Sequence, residues 1–83
     1  MATYIAKGEL VTNPTQNDIN RAQFVLCVAT SGAQTVVVED SDENTLGELY
    51  LHSAGDSVTV EKAPSDTITL AAGIVSAVGS PRS

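Results

Sequence analysis

The sequence predicts an all-β domain, a small, partly open barrel of about six antiparallel strands of the Src-homology type, with a small β-sandwich as the alternative. Three observations carry this expectation. Short runs alternate apolar and polar residues with period two, as in "VTVE" at 58–61 and "TITL" at 67–70. Val and Thr dominate these runs, and Gly, Asn, Asp, Ser and Pro separate them. No window holds the three–four apolar spacing with flanking caps that a helix requires.

Strands are expected near 3–10, 22–30, 34–40, 46–52, 57–62, 66–72 and 74–79. "TNPTQNDIN", 12–20, is the longest loop, polar and rich in turn formers. "TSGAQ" predicts a short hairpin between the second and third strands, and "EDSDEN" joins the third to the fourth. "HSAGDS" joins the fourth to the fifth, with Gly55 available for positive φ. "GSPRS", 79–83, reads as a frayed tail. The whole of 1–83 is a single domain, and its middle is expected to be an antiparallel meander.

Side-chain direction says more. Val58 and Val60 share one face, as do Ile68 and Leu70, with Thr and Glu opposite; such strands are wet on one side. The second strand differs. Phe24, Leu26 and Val28 line one face, and Val25, Cys27 and Ala29 line the other. In the third strand Val37 opposes Val36 and Val38, and in the fourth Tyr50 opposes Leu49 and Leu51. A chain of 83 residues hides only about two-thirds or less of its unfolded surface, too little to cover both faces fully. The 12–20 loop is expected to cover part at most, and a second subunit the rest. Val25, Cys27, Val37 and Tyr50 are the expected interface residues.

Composition excludes several classes. Ten acids against four bases give a net charge of −6, and Lys7, Arg21, Lys62 and Arg82 are scattered. Nucleic-acid affinity needs clustered cations and an aromatic stacking platform, and neither is present. An anionic membrane is disfavoured for the same reason. "MATYIAKGEL" lacks the basic and long apolar regions of a signal peptide, and "FVLCVA" is too short to span a bilayer, so a soluble protein made in the cytoplasm is expected. Cys27 is the sole cysteine, which rules out a disulfide within the chain and reads as a small buried hydrophobe.

No chemical motif survives inspection. Asp40, Asp42 and Asn44 alternate like the first ligands of a calcium loop, but Thr45 stands where the turn needs Gly and Leu51 where a bidentate Glu is needed. His52, Ser53 and Asp56 are close in sequence only, with no nucleophile elbow. One His and one Cys make no zinc set. In "EKAPSD", Pro64 stiffens a bend, Lys62 and Asp66 are expected to pair across it, and Asp66 is expected to bond backbone amides; the reading is a rigid corner. No catalytic, cofactor-binding or metal residue is assigned, no cofactor is expected, and the chain is not expected to be an enzyme.

"FVLCVATSGAQTVVV", "GELYLHSAGD" and "VTVEKAPSDTITL" together resemble small virion structural proteins of marine tailed bacteriophages, the cyanophage-like group. The matching stretches are Val25–Cys27, Thr35–Val38, Ala54–Gly55 and Glu61–Ile68, within residues 22 to 80. The resemblance implies a bacteriophage particle component that self-associates or meets other virion proteins, located in the virion and made in the host cytoplasm. It transfers no catalytic residues. The alternative is a small acidic adaptor or ligand-binding module whose 39–48 segment docks a basic partner protein.

Overall fold

Period-two alternation is realised almost strand for strand in the computed structural model, which describes residues 6–79. The strands are β1 (Val11–Thr12), β2 (Phe24–Ala29), β3 (Gln34–Glu39), β4 (Thr45–Leu51), β5 (Ser57–Glu61), β6 (Thr67–Thr69) and β7 (Gly73–Val78). No helix occurs among the described residues. All strand pairs are antiparallel. They form two sheets, ordered β1-β7-β2-β5 and β4-β3-β6, so the barrel does not close.

Each sheet turns one face inward. Val25, Cys27 and Ala29 of β2, Val75 and Ala77 of β7 and Val60 of β5 come from the four-stranded sheet; Val36, Val38, Leu51 and Ile68 come from the three-stranded one. With Leu70 and Ile19 they make a single core cluster. Two inner faces meeting in one apolar layer is the logic of a sandwich.

Two expectations need correction, and a third falls almost wholly outside the described residues. The expected strand at 3–10 lies partly outside the described residues, and over 6–10 only Ala6 makes a β-bridge, to Val78. The strand proper is the two-residue β1, paired to β7. The frayed tail at 79–83 lies outside the described residues except for Gly79. Finally, "TSGAQ" is not a hairpin. β2 and β3 belong to different sheets, and the 30–33 turn, with Gly32 at φ 78°, carries the chain from one layer to the other. The chain changes layer again after β4, β5 and β6, leaving β3–β4 the one hairpin of the expected meander. A short turn-rich link serves an arch between layers as well as a hairpin within one; the choice belongs to the strands it joins.

The long loop does cover part of the core. Ile19 is fully buried although it sits in a polar stretch, and its φ of 53° is in the left-handed region that β-branched residues avoid. Asn17 holds it there, Oδ1 accepting the Ile19 N–H at 2.7 Å. Residues 14–17 also close the β6 edge. The amides of Asn17 and Ile68 exchange hydrogen bonds with each other's carbonyls at 3.1 and 2.8 Å, and the Leu70 N–H donates to the Pro14 carbonyl at 2.9 Å. The three-stranded sheet is thus sealed at β6 and ends at β4 on the other side.

Candidate association surfaces

The motifs that invited a chemical reading are all turn hardware. The Asp40 carboxylate accepts the N–H groups of Asp42 and Asn44, each at 2.9 Å, and Asn44 Nδ2 at 3.1 Å. The Asn44 amide, then its side chain, then the Asp42 amide hold Asp40 below the usual carboxylate range. Among the described residues no group of three or more His, Cys, Asp or Glu is arranged to hold a metal ion. Asp56 Oδ2 accepts the N–H groups of His52 at 2.9 Å and Ser53 at 3.1 Å, closing the turn around Gly55 (φ 94°). The His52 ring packs edge-on against Tyr50, centroids 4.8 Å apart.

The "EKAPSD" bend is a corner with one buried cation. Asp66 Oδ2 accepts the Ala63 N–H at 3.1 Å, and the Asp66 N–H donates back to the Ala63 carbonyl at 3.0 Å. Lys62 is only 6% exposed, and its Nζ donates to the Ala63 carbonyl at 3.3 Å rather than pairing with Asp66. Burial pushes its ammonium below the usual lysine range, opposed by the fields of Asp18 and Asp66.

The four expected interface residues separate. Val25 and Cys27 are 0% exposed and point into the core, so they form no surface of the protomer. β2 is apolar on both faces, and the second sheet packs on the Val25–Cys27–Ala29 side, which leaves Phe24, Leu26 and Val28 outward. Val37 and Tyr50 do lie together on the outer face of the three-stranded sheet. Val37 is half-buried opposite Glu48 and Thr69, and Tyr50, 58% exposed, stands opposite Thr35. That face is mostly polar.

The outer face of the four-stranded sheet carries an apolar stripe along β2, flanked by polar residues of β5 and β7. Val28 stands opposite Ile74 of β7, and Leu26 stands between Thr59 of β5 and Ser76 of β7. Phe24, Leu26, Val28 and Ile74 are all half-buried at the centre of a sheet whose second side faces out. The alternation of β2 held the signal for this face as strongly as for the one chosen. A second feature, missed in sequence, is β4. It ends its sheet, residues 45–50 are all exposed, and Leu46 and Leu49 are 57% and 40% exposed. Among the described residues no helix is long and apolar enough to cross a membrane.

No protein-family model, curated protein or solved structure matches this chain.

Cys27 yields a testable consequence of the corrected placement. Burial pushes its thiol from an ordinary 9.0 to about 12. The unfolded thiol ionises near 9 while the folded one keeps its proton, so stability present below pH 9 is lost as pH rises toward 12. Between about pH 8 and 10.5 the loss from this group is roughly 2 kcal/mol. Cys27→Ala should therefore lose less melting temperature over that interval than the parent, the opposing Lys62 effect being common to both. Equal losses in the two proteins would show that the thiol is reached by solvent.

Proposed function

We infer that this chain is a non-enzymatic structural module that self-associates through the outer face of its four-stranded sheet. The observation that carries the reading is β2: its inner phase fills the core, and its outer phase, Phe24, Leu26 and Val28 beside Ile74, remains apolar and only half-covered. A solvated antiparallel face normally alternates to polar residues. A contiguous apolar patch on a small domain marks a contact surface, and a symmetric pairing of that patch buries it in two copies at once. The turns around Asp40, Asp56 and Asp66 direct their carboxylates to their own backbone, which favours a structural over a catalytic role.

A place in a tailed-phage particle, as a virion structural or assembly protein, is the specific form of this reading. Its support is the resemblance carried by residues 22 to 80, together with an acidic exterior of net charge −6 around an apolar contact face. Leu26→Glu tests the contact. Leu26 points away from the core, so the variant should melt within a few degrees of the parent, while light scattering should show the parent associated at micromolar concentration and the variant monomeric. A parent that stays monomeric at high concentration, or a variant that associates equally, rejects this face.

A further inference from the structure

Among the described residues β4 and β5 end their sheets side by side, and β4 is the longer. Edge strands are usually blunted by Lys, Pro or extreme shortness, or are covered by a loop. β6 has its cover in residues 14–17, and β1 has two residues. β4 has seven, with neither Lys nor Pro, and a bulge at Leu46 near its start leaves Gly47–Leu51 as a regular open edge. Beside it runs a groove of about 280 Å³ where β4 and β5, the last strands of their sheets, leave the sandwich open. Val38, Leu46, Leu49 and Val60 are its apolar lining.

Gly47 leaves this edge sterically open. It lies mid-strand opposite Val38, its φ is not in the left-handed region, and a Cβ built on it meets nothing within 4 Å. Crowding within the protomer does not call for glycine here; Gly47 adjoins a bulge, Leu46 being the extra residue where the register with β3 shifts between Val38 and Glu39. The open space beside it leaves room on this edge for another backbone to approach closely. The rim is charged with one sign: Glu48, Glu61 and Asp66 line it and no base does.

We propose that the β4 edge and its groove bind an extended, basic segment of another protein, which adds a strand to β4 with its apolar residues in the groove and its Lys or Arg residues toward the carboxylate rim. Strand addition supplies main-chain hydrogen bonds for affinity, and alternating pockets and charges for specificity. A second copy of this chain is the poorer occupant, because it brings the same acidic β4 and a net charge of −6.

The probe is an acetylated, amidated Lys-Val-Lys-Val-Lys-Val-Lys peptide, titrated by calorimetry and by amide hydrogen exchange. Binding should slow exchange at Leu46–Tyr50, and the corresponding Glu/Val peptide should bind at least about ten-fold more weakly. Gly47→Val keeps every charge and places a β-branched side chain in open space. It should melt at or above the parent temperature yet bind the Lys/Val peptide at least about ten-fold more weakly. No binding at millimolar peptide, equal binding of the Glu/Val peptide, or equal binding by Gly47→Val each overturns the proposal. Protection of β4 amides that grows with protein concentration alone, and vanishes in Gly47→Val, would assign the edge to a second copy instead. Because Leu26 lies in the other sheet, failure here leaves the self-association test standing, and the reverse holds.

Discussion

Val25→Asp should abolish cooperative folding. Val25 is fully buried between the sheets, paired to Val60 on β5 and Ala77 on β7, both of them core residues. A carboxylate placed there has apolar neighbours on both flanks and the opposite sheet above it. Ionised, it costs several kcal/mol even after relaxation and water entry; protonated, it still leaves a polar group without partners. A domain of this length has a total stability of about 4–12 kcal/mol, so one such charge removes most or all of it. Far-ultraviolet circular dichroism during heating should show a lost or strongly lowered transition. The same measurement on Leu26→Glu, one residue along, should show a transition close to the parent. If Val25→Asp melts like the parent, the second sheet does not pack on this side of β2, and the account of the core fails with it.

Gly73→Ala is the second large effect, and a methyl group produces it. Gly73 opens β7 opposite Ala29. Its carbonyl accepts the Asn13 N–H at 2.8 Å, and its own N–H donates to Asn13 Oδ1 at 3.0 Å. A Cβ here would lie 2.6 Å from the Val28 carbonyl oxygen and collide with Leu70 Cδ2, itself in a fully buried side chain. Leu70 has no exposed space to swing into, and the Val28 oxygen is part of the sheet. Overpacking of this kind costs about 1–3 kcal/mol, while the stiffer unfolded chain returns only about 0.4–1 kcal/mol, so destabilisation wins. Thermal melting should fall by roughly 5–15 °C. A variant as stable as the parent would show that β7 and Leu70 part without cost. Gly47 makes the contrast: it has open space around it, so its substitution is read in binding and not in folding.

How much of this was legible beforehand varies with the range of the interaction involved. Strands β2 to β7 were readable to within a few residues, because alternation and turn residues are local signals. The burial of Val60, Ile68 and Leu70 followed from one-sided alternation. Ile19 was hidden because a single aliphatic residue in the polar "TNPTQNDIN" does not reveal which way it turns; a carboxamide two residues earlier turns it inward. Val25 and Cys27 were expected outside, and lie in the core, because both phases of "FVLCVA" carry comparable apolar weight. The open β4 edge was invisible because being last in a sheet is a property of the neighbours.

The sequence alone determined that this chain is all-β, where β2 to β7 lie to within a few residues, and that β2 is apolar on both sides. Which side of β2 became the core, which links became arches between layers, and which edge stayed open were decided only when the sheets packed. Period-two patterning assigns a residue to a face, and only a non-local partner decides which face is the inside.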